Sequence, residues 1–375
     1  MTRTLEEHLS ARGPKRILAL DGGGIRGVLT LEILRRIEEI VGSPLSDTFD
    51  LVGGTSTGSI IASGLALGWP VERLQSLYQG LGEKIFRKAP LRFGVLRAKF
   101  PTEPLESALE QEFGDVRLGD PAFRTGLAIV AKRVDTSSPW VLHNNPAGPY
   151  FNASDGGGFP NRDYLVRQLI RASTAAPHYF DPEILRVAGD EEGTFVDGGV
   201  SPHNNPALQL LLLATLRGHG FRWPMGEDRL LIVSVGTGSW PKKGVDDLAS
   251  RTAAGNAFRS LVSMMDDASA LNRLLLQWMS RSPTAGRIDG EVGDLAEDFL
   301  GGQRWLTYLR YDAELDRDWI AERLPDRELT EEEIAKLRAM DRAQGMKDLT
   351  EIGRVAARDV RPEHFPPVFL NGTAR

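Results

Sequence analysis

Ser56 lies in Gly54-Thr55-Ser56-Thr57-Gly58, a G-x-S-x-G pattern that follows Phe49-Asp50-Leu51-Val52-Gly53 and precedes an apolar, helix-like run over residues 60–67. A serine on a tight strand-to-helix turn holds its hydroxyl clear of its neighbours, and the helix N-terminus behind it favours developing negative charge. Glycine two residues to either side lets the backbone turn without a Cβ clash. An ordinary tight turn between strand and helix fits the same pattern, so its weight depends on its company. Upstream, Arg16–Leu20 is an apolar run of strand length. It is followed by Asp21-Gly22-Gly23-Gly24-Ile25-Arg26-Gly27 and then by helical spacing of apolar residues over 28–37. Three glycines before a helix expose backbone N–H groups that can hold an anion or an oxyanion. Arg26, placed among them, would support that loop or add a positive charge for a phosphate or carboxylate. Downstream, Asp197 ends a short strand and precedes Gly198 and Gly199, which leave its carboxylate uncrowded. Such a carboxylate can take a serine proton as general base. With an ordinary pKa of about 3.9 it is a weak base in water, so this chemistry needs a partly dry site.

Two other readings compete. Gly22, Gly24 and Gly27 also satisfy G-x-G-x-x-G, the pattern of a dinucleotide-binding loop. That site wants a carboxylate about twenty residues on, at the end of the second strand. Asp47 and Asp50 instead precede Leu51-Val52, whose strand runs into the serine turn. A Ser-His-Asp triad is the second competitor. Among the six histidines, Ser56…Asp197…His203 or His219 has the chain order of an α/β-hydrolase. Those enzymes place several strands before the nucleophile, whereas a single strand unit precedes Ser56. His203 is better read as a polar loop residue.

In chain order, the D-G-G-G-x-R-G loop, the G-x-S-x-G turn and Asp197-Gly198-Gly199 resemble the patatin-like phospholipase family. Arg171–Phe180, Asn204-Asn205-Pro206 and the strand over 230–238 add to the match, which spans about residues 15 to 240. The resemblance implies a three-layer α/β/α sandwich on a central, mostly parallel sheet. It also implies a Ser56–Asp197 dyad without histidine, an oxyanion hole from Gly22, Gly23 and Gly24, and hydrolysis of acyl esters of membrane lipids. One departure is Ser201-Pro202-His203, a residue longer than in plant members, which affects the local loop. Some bacterial members are silent until a cyclic nucleotide binds; nothing in these motifs marks such a site.

Composition agrees with a globular enzyme. The 375 residues are 41% hydrophobic and 26% charged, enough for a substantial core. A net charge of −6 argues against general affinity for nucleic acid or anionic bilayers. The absence of cysteine removes disulfides, thiolate nucleophiles and cysteine metal sites. The N-terminus is too polar for a signal peptide, and the longest apolar run, residues 207–216, is far short of the about twenty that span a membrane. The expectation is a cytoplasmic protein that meets a lipid surface from the water side, with no metal or organic cofactor.

The elements that must position these residues alternate between strand and helix up to about residue 240. Residues 1–14 read as a tail, 15–240 as the α/β core, and 241–375 as a mainly helical part packed on it. Helical spacing covers 70–86, 102–112 and 253–280, and strands are expected over 126–131 and 139–143. Thr330-Glu331-Glu332-Glu333 is a capping box opening a helix through Leu337 and Met340. Two regions could touch lipid: the stretch over 84–100, which interleaves cations with Phe86, Phe93 and Phe100, and the helix over 261–279, whose Met264, Met265, Trp278 and Met279 could form a lid. For each, ordinary packing is the competing reading.

Overall fold

Arg16–Leu20 has no polar alternation, as a strand covered on both faces requires. In the computed structural model, which describes residues 3–85, 100–152, 157–240 and 253–370, these residues belong to β1 (Lys15–Leu20), buried at every position. Ile17 and Ala19 join one apolar core with Leu210, Leu213 and Leu276, whereas Leu18 and Leu20 join another with Leu29, Ile33, Ile61 and Ile352. Helices therefore cover both faces of the sheet, giving a three-layer α/β/α sandwich.

The other strands are β2 (Leu51–Thr55), β3 (Gly126–Arg133), β4 (Ser138–His143), β5 (Glu183–Ala188), β6 (Glu191–Asp197), β7 (Leu230–Val235), β8 (Ser280–Arg281) and β9 (Leu306–Tyr311). Among the described residues they form one sheet in the order β5-β6-β3-β2-β1-β7-β9-β8, with β4 also paired to β3. The run β3-β2-β1-β7-β9-β8 is parallel, while β4, β5 and β6 add antiparallel pairs. In register, Leu20 faces Gly54 on one side and Val235 on the other, so the loops leaving β1, β2 and β7 emerge together. Open parallel sheets bind ligands at that carboxyl edge.

The helices fall close to where the apolar spacing predicts them, at Gly27–Val41, Thr57–Ala66, Val71–Ile85, Glu103–Phe113, Ala207–Thr215 and Ala253–Met279. Three regions differ from the sequence reading. Residues 5–10 of the expected tail form a helix with a Thr4–Glu7 capping box, and His8 is buried against Asp50. Beyond residue 240 the chain is not only helical, because β8 and β9 extend the central sheet. The helix opened by Thr330 ends at Arg338, after which Met340 O accepts the Ile25 N–H at 2.9 Å. Among the described residues no helix is long and apolar enough to cross a membrane.

Candidate active site

Residues 56 and 197 are brought together by strand register. β2 pairs with β3 as far as Thr55 opposite Val130, and β6 pairs with the next residues, Ala131 facing Asp197. β4 occupies the other edge of β3 over this stretch, so β2 and β6 share one edge end to end. Ser56 leaves β2 where Asp197 leaves β6, and its Oγ–H donates to Asp197 Oδ2 at 2.5 Å. The second carboxylate oxygen accepts the Gly199 N–H at 2.7 Å. Asp197 is 5% exposed. Burial pushes its carboxyl up to about 6, while the hydrogen bonds from Ser56 and Gly199 work the other way.

Ser56 has φ 53° and ψ −124°, a conformation L-residues rarely adopt. Such a residue costs on the order of 1–3 kcal/mol and persists only where its surroundings fix it. Here Ser173 fixes it: its Oγ accepts the Ser56 N–H at 2.8 Å and donates to Val130 O at 2.6 Å. The following helix, Thr57–Ala66, is buried along its whole length and packs close behind the turn. A Cβ on Gly54 would overlap the Gly58 backbone, so these two glycines let strand and helix approach.

The glycine loop lies alongside. Gly22 N–H donates to Asn204 O at 3.0 Å, and Gly22 O accepts from Thr237 Oγ1 at 2.9 Å. The N–H groups of Gly23 and Gly24 find no acceptor among the described residues, and both glycines line the cleft beside Ser56. Of the three glycines expected to supply oxyanion donors, Gly22 thus has its amide in use, leaving Gly23 and Gly24. A side chain on Gly23 would overlap Thr237, and Gly24 has φ 60° with Met340 against it.

Arg26 is 6% exposed. Its Nε donates to Gly23 O and one terminal nitrogen to Gly238 O, each at 3.3 Å, and its guanidinium stacks on Trp240. These bonds join it to the backbone of the loops that hold Gly23 and Gly238. His203 makes no hydrogen bond to Asp197 or Ser56; its carbonyl accepts from Thr55 Oγ1 at 2.6 Å and its Nδ1 is buried without a partner. Burial, with Lys132, lowers the pKa of that imidazole. A triad through His203 therefore has no contact to build on. Asp50 sits at the start of β2, at the opposite end of the sheet from the glycine loop, and is held by His8 and the Arg16 N–H. The dinucleotide reading lacks its ribose carboxylate. Among the described residues no group of three His, Asp or Glu side chains is placed to hold a metal ion.

Above the Ser56–Asp197 pair lies a cleft that opens to solvent. Its walls are apolar: Ile60, Leu81, Leu105 and Phe180 from the core, Val262 and Met265 from the helix Ala253–Met279, and Met340 near the glycine loop. Of the expected lid residues, Met265 lines the cleft and Met264 is 68% exposed, while Trp278 and Met279 are half-buried. In the cation-rich stretch over 84–100, residues 86–99 lie outside the described residues; Phe100 is buried against Tyr179 and Phe180. Ser173 and Thr237 were not singled out by sequence reasoning as site residues. Their only signal was membership of the runs Arg171–Phe180 and residues 230–238.

The family model for patatin-like phospholipases matches residues 18–211. Over 230 residues the chain is 33% identical to a cUMP-AMP-activated phospholipase of Escherichia coli, an alignment covering 61% of this chain and 67% of that protein. It is 32% identical over 189 residues to a cGAMP-activated phospholipase of Pseudomonas aeruginosa, covering 49% of this chain and 52% of that one. To the calcium-independent phospholipase A2-gamma of Rattus norvegicus it is 30% identical over 273 residues, 69% of this chain but only 33% of the longer protein.

Proposed function

Because the chain belongs to the patatin-like phospholipase family, we propose that it is a lipid acyl hydrolase in which Ser56 is the nucleophile and Asp197 its general base. The observation that carries this reading is the 2.5 Å hydrogen bond from Ser56 Oγ to Asp197 Oδ2 at the floor of an apolar cleft. In the first half-reaction Ser56 Oγ attacks the ester carbonyl carbon while its proton passes to Asp197. The carbonyl oxygen becomes an oxyanion facing the Gly23 and Gly24 N–H groups. When the carbon–oxygen bond to the alcohol breaks, Asp197 returns the proton to the leaving alkoxide. Water then attacks the acyl-serine, giving its proton to Asp197, and the fatty acid leaves as Ser56 recovers its hydrogen.

Each part answers a physical need. Burial raises the basicity of Asp197, so it accepts a proton more readily than an exposed aspartate would. Preorganised amides stabilise the oxyanion without reorganising, typically by about 3 kcal/mol for each good donor. The apolar walls suit an acyl chain. Incubating phospholipid vesicles with the protein and analysing products by mass spectrometry tests the proposal. Free fatty acid and lysolipid should appear with the native chain and not with Ser56→Ala. Equal product from both would contradict it.

The names of two bacterial relatives favour a second layer, activation by a cyclic dinucleotide. The same vesicle assay with and without added cUMP-AMP or cGAMP decides it: a rate that rises at least tenfold supports gating, and full activity without nucleotide removes the need for it.

A further inference from the structure

Asp21 stands immediately before the glycine loop, and its carboxylate is buried. A buried carboxylate without a cation or donors is costly, so what meets it fixes the backbone on either side. Arg310, on β9, meets it with both terminal nitrogens: one donates to Asp21 Oδ1 at 3.0 Å, the other to Asp21 Oδ2 at 2.7 Å. The reach is across a strand, since β7 lies between β1 and β9, and Arg310 is opposite Ser234 in register. Ser234 Oγ accepts from Arg310 at 2.8 Å on the way. The same guanidinium donates to Asp312 Oδ2 at 2.9 Å, while Asp312 Oδ1 accepts the Gly238 N–H at 2.8 Å. One side chain thus joins the loop over 21–24 to the loop over 236–238. Thr237, in the second loop, holds Gly22 O and fills the space beside Gly23.

From this geometry we infer that Arg310 is a positioning residue for the oxyanion loop, acting through Asp21 on the Gly23 and Gly24 amides. Arg310 lies outside the residues 18–211 that carry the family match, so the C-terminal third completes the catalytic apparatus rather than merely covering it. Met340 O, also from that third, holds the front of the same loop through the Ile25 N–H. Arg26 cannot substitute for Arg310, because its donors go to Gly23 O and Gly238 O and none to the Asp21 carboxylate. The inference rests on the hydrolase reading above.

The test uses the full chain and p-nitrophenyl butyrate, with Arg310→Met, Arg310→Lys and Asp21→Asn compared against native protein and Ser56→Ala. Arg287→Gln, a change at an exposed arginine of the neighbouring cavity, serves as control. Loss of a correctly placed oxyanion donor should lower kcat for Arg310→Met by about 30-fold or more, with KM within about threefold of native. Arg310→Lys should recover part of that loss, and Arg287→Gln should behave as native. If Arg310→Met does not fold, Asp21→Asn carries the same test through the other partner, with an expected fall in kcat of about tenfold. A folded Arg310→Met or Asp21→Asn with native kcat overturns the inference and leaves the hydrolase reading standing, provided Ser56→Ala is inactive. A rise in KM alone also overturns it. An active Ser56→Ala sinks both together.

Discussion

Ser173 holds the backbone of Ser56 in place, accepting its N–H at 2.8 Å while donating to Val130 O at 2.6 Å. The strained turn is therefore tied to β3 through a buried hydroxyl. Ser173→Ala leaves a buried N–H and a buried carbonyl without partners, which destabilises the fold by about 1–3 kcal/mol. It also frees the turn to relax. We expect kcat to fall about tenfold with KM little changed, read from steady-state ester hydrolysis.

Gly23→Ala tests the glycine loop directly. The new Cβ would overlap the Thr237 side chain, so the loop must move away from where its amides face the cleft. The predicted loss in kcat is about 100- to 1000-fold, the scale of removing an oxyanion donor. Thermal melts should show a folded protein, and a folded variant with native kcat would show that these amides carry no catalytic weight.

Activity should fall on the acid side with a midpoint near pH 6. Asp197 must be ionised to accept the Ser56 proton, and burial raises its pKa to about 6. Below that, kcat/KM should drop about tenfold per pH unit. A profile flat down to pH 4.5 would remove Asp197 as the base.

The same burial makes a stability prediction of opposite sign to the activity. A carboxyl whose folded pKa is raised contributes its stability below the unfolded pKa, near 3.8, and loses it as pH rises through about 6. Above pH 6 the ionised Asp197 therefore costs up to about 3 kcal/mol, some two pKa units at about 1.4 each. Asp197→Asn should be more stable than the native chain at pH 8, with the gain vanishing near pH 4. Urea unfolding at the two pH values checks it, and a gain independent of pH would contradict it.

Much of this arrangement is legible from residue types alone. The apolar runs of β1 and β2, the G-x-S-x-G turn and the paired glycines after Asp197 each mark local geometry that backbone sterics require. Register is harder to read. Nothing local to Asp197 says that β6 continues the edge of β3 where β2 stops, yet that pairing closes a gap of 141 residues between base and nucleophile. β9 was invisible for a related reason: Leu306–Tyr311 is only six residues long, and its polar Thr307 and Arg310 break the two-residue alternation that marks a strand. No motif in the sequence marks Arg310, and only the sheet order brings it to Asp21. Met340 was read as part of a helix because its spacing fits one, whereas tertiary contact with the Ile25 N–H ends that helix at Arg338.

The most direct measurement compares kcat/KM for Ser56→Ala, Asp197→Asn and His203→Ala with the native chain on one ester substrate, with circular dichroism confirming the folds. The account predicts that the first two lose at least about 10000-fold, as removal of a nucleophile or its base does, while His203→Ala stays within about threefold of native. A folded Asp197→Asn at native rate, or a His203→Ala as inactive as Ser56→Ala, would contradict it.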